Sequence, residues 1–154
     1  MSKSDVRIRA KKRALYLLER MDRTEQQLRE KLKSSDYPEE VIEEAIEYVK
    51  SFHYLDDERY AENFTRYKKE NMSRQQIKQK LMLKGVSKDI IQNAIEEEYD
   101  VDESIHIRNI LEKKHFSYET ADEGEFRRVY GYLLRRGFRS NDILKEMKYT
   151  GVDW

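Results

Sequence analysis

The chain has 154 residues, with 31 Lys and Arg set against 31 Asp and Glu, one proline, five glycines and no cysteine. Apolar residues make up 38% and charged residues 40%, against about 25% charged in an ordinary globule, so an elongated body with narrow apolar stripes is expected rather than a broad two-sided core. No window approaches the ~20 apolar residues of a membrane span, and without cysteine there are no disulfides, thiolate nucleophiles or cysteine-held metals. The basic start MSKSDVRIRAKKRALYLL has a brief apolar stretch and no small-residue cleavage site, so no signal peptide is read. A cytoplasmic protein is expected.

Three units are predicted, over 1–55, 56–100 and 101–154, each of three helices. In the first, Thr24 is placed to N-cap the second helix. Asp36 stands where a helix-ending glycine is expected, being tolerated in left-handed backbone, and Pro38 falls in the first turn of the third helix. In the second, Tyr60, Ala61, Phe64, Tyr67 and Lys68 are spaced for a helix from about Asp57 to Glu70. Asn71-Met72-Ser73 closes it, and Ser73 caps a second helix through Lys84. Gly85 follows at the left-handed position. Ser87 caps a third helix striped by Ile90, Ile91, Ala94 and Ile95. The third unit is degenerate. Residues 115–125 form a longer polar joint, Val129, Leu133, Phe138, Ile143 and Leu144 give its stripe, and the last helix ends near Met147. Trp154 is expected to dock on the body.

Self-comparison supports the division. At an offset of 49, Leu28 matches Ile77, Leu32 matches Leu81, Ala45 matches Ala94 and Ile46 matches Ile95. A weaker copy, RRVYGYLLRRGFRSNDILKEM, starts at Arg127. No segment alternates with the period of a strand, so the expected fold is all-α, an elongated, curved array of three tandem three-helix repeats. Units of this size bury little alone, and neighbours are expected to cover each other's helices.

Charge follows the repeat: residues 1–35, 36–58, 59–88, 89–125 and 126–154 carry net +6, −8, +7, −9 and +4. First and second helices are basic, and third helices of the first two units are acidic. Stacking would lay basic and acidic bands along the body, a shape suited to a charged polymer. The alternative is pairing of opposite signs between neighbouring helices.

Catalytic chemistry is absent. His53, His106 and His115 lie apart, without the helical spacing of a zinc site. The acidic runs read as solvated helix faces, and Asp56-Asp57-Glu58 reads as capping at a helix start. There is no glycine-rich phosphate loop and no nucleophile–base set. A protein that binds, without cofactor or metal, is expected rather than an enzyme.

The stretch 52–95, FHYLDDERYAENFTRYKKENMSRQQIKQKLMLKGVSKDIIQNAI, resembles the RecX family of recombinase regulators. The resemblance rests on Tyr54-Leu55-Asp56-Asp57, Tyr60-Ala61 and Leu81 through Lys84-Gly85-Val86. Flanking similarity at Ala14–Arg20, Glu25–Leu32 and Leu133–Phe138 extends it over about 10–150. His53 departs from the glycine usual there. The resemblance implies a protein that lodges in the groove of the RecA filament on single-stranded DNA and inhibits its extension, ATP hydrolysis, strand exchange and co-protease action; a monomer is expected. Some members also bind DNA, and a stand-alone nucleic-acid binder or a helical adaptor are the competing readings. The basic second helices are expected to carry the contacts. In the second unit these are Arg66, Lys68, Lys69, Arg74, Lys78 and Lys84. In the third they are Arg127, Arg128, Arg135, Arg136 and Arg139. About half are expected to serve instead as partners of the acidic helices. Tyr60, Phe64, Tyr67, Tyr130 and Tyr132 could stack on bases, with Tyr60 and Phe64 assigned first to the core.

Overall fold

A computed structural model describes residues 2–150. Their regular structure is entirely helical: α1 (Lys3–Arg20), α2 (Glu25–Ser34), α3 (Glu39–Ser51), α4 (Asp57–Lys68), α5 (Arg74–Leu83), α6 (Lys88–Glu98), α7 (Glu103–Lys113), α8 (Glu123–Arg135) and α9 (Ser140–Tyr149). The substantial helix pairings join α1–α3, α4–α6 and α7–α9, so the helices group by threes in chain order. No helix among the described residues is long and apolar enough to cross a membrane. Trp154 lies outside the described residues.

Local chemistry explains the boundaries. The Thr24 hydroxyl accepts the Gln27 N–H while the Gln27 side chain accepts the Thr24 N–H, and Ser73 with Gln76 repeats this capping box on α5. Gly85 has φ +86°, and its N–H and that of Val86 return to the carbonyls of Met82 and Leu81 at 3.0 and 3.1 Å. Asp36 takes the same left-handed turn at φ 63°, as expected for the residue in the glycine's place. His53, where the family usually has glycine, holds φ 61°. Two details differ from expectation. Ser87 is the N-cap of α6 but makes no side-chain capping bond, and Pro38 is the N-cap of α3, one position before its first turn. The last helix runs past Met147 to Tyr149.

The expectation that neighbours cover each other's helices is overturned. Three separate apolar clusters form, one in each group of helices. One is built on Ala14, Leu28, Ile42 and Ile46, another on Ala61, Ile77, Leu81 and Ile91, and the third on Ile107, Leu111, Leu133 and Ile143. Amphipathic helices close a small core within each group, and the buried apolar side chains of each cluster pack inside their own unit.

The units meet instead through a small polar joint, built twice. The Thr24 hydroxyl, besides capping α2, donates to the Lys84 carbonyl at 2.6 Å. The Glu25 N–H donates to the Asp57 carboxylate at 2.8 Å. One unit further on, the Ser73 hydroxyl donates to the Arg136 carbonyl, and the Arg74 N–H donates to the Glu103 carboxylate at 2.7 Å. In both joints the start of one second helix meets the end of the next second helix. The second joint has an added seal: buried His106 on α7 reaches the Lys69 carbonyl at 2.5 Å and packs its ring against Tyr99 and Phe138.

Candidate partner-binding faces

Some carboxylates of the acidic third helices, Glu43, Glu44 and Glu98, are paired within the protein. Arg7 of α1 pairs with Glu44 of α3 at 3.2 Å, Arg66 of α4 with Glu98 of α6 at 2.8 Å, and Arg108 of α7 with Glu146 of α9 at 2.9 Å. Each bridge joins the first and third helix of one unit, and Arg29 on α2 adds a pair with Glu43. Pairing of opposite signs between neighbours therefore accounts for part of the charge alternation. The Arg7 and Arg66 bridges are largely exposed and add little stability each, whereas Glu146 in the third is buried; each occupies its cation with a carboxylate of the same unit.

The cations expected to meet a partner divide accordingly. Arg66 and Lys68 belong to α4, the first helix of its unit, and Lys69 is that helix's C-cap, so they do not lie on the second helix as expected. Arg66 grips Glu98, Lys69 pairs with Asp100 at 2.8 Å, and Arg74 lies 3.7 Å from Glu103 and over the Tyr99 ring. The side-chain hydrogen bonds of the first two pairs raise the pKa of Arg66 and Lys69 and lower those of Glu98 and Asp100. Arg127 has a loose pair with Glu123 at 3.9 Å. Lys84 sits above the Phe64 ring, and Arg136 above Tyr132, which also carries Lys114 at 3.9 Å.

Lys68, Lys78, Arg128, Arg135 and Arg139 have no carboxylate within ion-pair distance among the described residues. Arg128 and Arg135 are brought together by helix geometry: seven residues apart, they share one exposed face of α8. Each lies four residues after a glycine, and side chains on a helix lean back toward its N-terminus. A Cβ at Gly131 would lie 3.1 Å from the Arg135 guanidinium, and one at Gly124 would lie 3.4 Å from that of Arg128. The Gly124–Arg128 and Gly131–Arg135 spacing is a signal in the sequence that charge counting passes over. Arg139 is the N-cap of α9, separate from this stripe.

The aromatic residues separate in the same way. Tyr60 and Phe64 stack with centroids 6.3 Å apart and pack against the core of their unit, as assigned. Tyr130 stacks on Phe126 and shares a hydrogen bond with the Ser140 hydroxyl. Tyr67 is 82% exposed and stands beside Lys68 at the end of α4.

The aspartate pair shows a role that capping only half describes. Asp56 caps α4 by accepting the Arg59 N–H at 3.2 Å. Asp57 serves the neighbouring unit, through Glu25, and burial pushes its carboxyl above the usual range. No group of three or more His, Cys, Asp or Glu among the described residues is arranged to hold a metal.

Known proteins agree with this architecture. Residues 10–48 match "RecX, first three-helix domain", 56–95 the second and 103–145 the third. The chain is 36% identical over 143 residues to the regulatory protein RecX of Caldanaerobacter subterraneus subsp. tengcongensis, covering 92% of this chain and 70% of that one. It is 33% identical to that of Actinobacillus pleuropneumoniae serotype 5b, covering 91% and 93%. The crystal structure of RecX from Lactobacillus salivarius superposes with a TM-score of 0.77 at 22% identity, over 94% of this chain and 96% of that one. With all three domain descriptions matched in order and relatives aligned over nearly its full length, the chain belongs to the RecX family of regulatory proteins.

Proposed function

We propose that this chain is a negative regulator of RecA that binds the RecA filament on single-stranded DNA and inhibits its extension, ATP hydrolysis, strand exchange and co-protease activity. It acts in the cytoplasm as a monomer, by binding rather than catalysis, and without a cofactor. The observation that carries this reading is the in-order match of all three RecX domains. Its physical support is the set of cations left without carboxylate partners, Arg128 and Arg135 on α8 together with Lys68 and Lys78, which suits an acidic groove or a phosphate backbone.

The test is RecA's single-stranded-DNA-dependent ATPase with this chain titrated well below one copy per RecA. A falling rate supports filament inhibition, because simple competition for DNA needs more protein; an unchanged rate at excess refutes it. Arg128→Glu with Arg135→Glu should weaken inhibition and leave thermal unfolding nearly unchanged, since neither side chain is tied to the core. A second reading, a stand-alone nucleic-acid binder, draws on the same unpaired cations. It predicts DNA affinity without RecA and a steep fall of that affinity with salt.

A further inference from the structure

The two polar joints are more than spacers between units. Because each unit closes its own core, apolar packing does little to set the angle between neighbours. That angle falls to the contacts at the joints, and these tie the second helices into a file. The start of α2 meets the end of α5, and the start of α5 meets the end of α8. In each case the N–H-rich end of one helix faces the carbonyl-rich end of the next, the favourable order for helix dipoles. Second helices hold several of the proposed contact cations, so the joints fix how those cations are aligned.

Three chemical requirements recur at both joints. The first is a hydroxyl at the N-cap. Asp and Asn cap as well as Ser or Thr, but a carboxylate cannot also donate to a carbonyl. Thr24 and Ser73 do both, accepting from their own helix and donating to the next unit. On α8, which receives no such neighbour among the described residues, the N-cap is Asp122, and it only accepts, from the Glu125 N–H. The second is a carboxylate opening the next first helix, Asp57 or Glu103, which takes the N–H of residue 25 or 74. The third is a glycine after the next second helix. Left-handed backbone alone does not demand it, because Asp36 takes that conformation at φ 63°. Gly85 and Gly137 face a neighbour. A Cβ at 85 would run into the Gln26 side chain, and one at 137 would lie 2.7 Å from Gln75 Cβ.

We infer that Thr24, Asp57 and Gly85, with Ser73, Glu103 and Gly137, are positioning residues: touching no partner, they set the inter-unit angle that aligns the basic second helices. The angle itself stands on the geometry of the joints, and its consequence for inhibition rests on the function proposed above.

The absence of cysteine lets single labels be placed at exposed sites. Spin-label pairs at Glu47→Cys with Lys88→Cys report the first joint, and pairs at Lys88→Cys with Lys145→Cys report the second. Thr24→Asp keeps a capping acceptor and loses the donor. It should broaden the first distance distribution and leave the second unchanged, while Thr24→Ser preserves both. Gly85→Ala attacks the same joint from its other side and should broaden the same distance. Asp122→Ala removes a cap away from the joints and should move neither distance. In the RecA ATPase assay, Thr24→Asp should raise the half-inhibiting concentration by about tenfold, the effect of losing roughly one good hydrogen bond's worth of alignment. Unchanged distances in both Thr24→Asp and Gly85→Ala overturn the inference whatever the ATPase shows. Broadened distances with undiminished inhibition overturn the positioning role. If the unsubstituted chain fails to inhibit, the proposed function falls, and the distances alone still decide whether the joints set the angle.

Discussion

Leu133→Ala tests whether the three cores are energetically separate. Leu133 is fully buried on α8 among Ile107, Leu111, Val129 and Ile143, all in the core of α7–α9. Truncating such a leucine costs about 2–5 kcal/mol, the spread depending on how far the site collapses. The second joint opposes separation with three polar contacts, from Ser73 to Arg136, from Arg74 to Glu103 and from His106 to Lys69. At about 1 kcal/mol net each, they couple α7–α9 to the rest by roughly 3 kcal/mol, before any share from the His106 ring contacts. The lesion is as large as the coupling, so α7–α9 should open on their own while α1–α3 stay closed. Amide hydrogen exchange at neutral pH measures this directly. Opening free energies in α7–α9 should fall by about 3 kcal/mol, and those of Leu28, Leu32 and Ile46 in the first core should change by less than about 0.5 kcal/mol. An equal fall in both places would show one cooperative core and refute the separation.

Asp57 gives a pH-dependent test. Burial raises its folded pKa above the usual carboxyl value, while the Glu25 N–H pulls the other way. A raised folded pKa means that the carboxyl's contribution to stability is greatest below its unfolded pKa and is lost as pH rises through the folded one. Asp57→Asn keeps an acceptor for Glu25 and removes the buried charge. It should therefore equal or exceed the unsubstituted chain in urea unfolding at pH 7, with the gap closing near pH 4. Asp57→Ala should be less stable at both pH values, by about 1 kcal/mol, because the Glu25 N–H is left unpaired. Tyr99 donates to the Met72 carbonyl at 2.6 Å, and burial raises its phenol pKa far above the ordinary value. In an alkaline absorbance titration one tyrosine should ionise only as the protein unfolds, and Tyr99→Phe should abolish that late step while costing about 1 kcal/mol.

Much of the fold is written in local sequence. Caps at Thr24 and Ser73, the left-handed turns at Asp36 and Gly85 and the apolar stripe of α6 are each decided by residues within a few positions, so reading along the chain finds them. The contacts between units are not local. Nothing near Thr24 says that its hydroxyl also reaches Lys84, sixty residues on, and Asp57 looks like a cap for its own helix until Glu25 is placed beside it. The clue lies in a comparison of the second helices: hydroxyl caps and glycine turns occur at the ends where units meet, and carboxylates stand at the other two ends, Asp122 and Asp36. The site is less legible. Arg66, Lys69 and Arg74 look identical in charge to Arg128 and Arg135, and only the fold shows which of them face a carboxylate. The expectation of mutual coverage failed because it counted residues per unit and not how tightly three short helices close around a few Leu, Ile and Ala side chains.

The middle unit has a property that the outer two lack. Its second helix begins with Ser73 and is followed by Gly85, so it bears both the donating and the receiving half of the joint. A duplication of that segment would arrive with matching halves already in place, able to bond to its neighbours without any new contact arising. Array length is then open to change by simple gene duplication, whereas copies of the outer units would each arrive with one mismatched end. A protein assembled this way can lengthen in steps of one unit while its local chemistry stays the same.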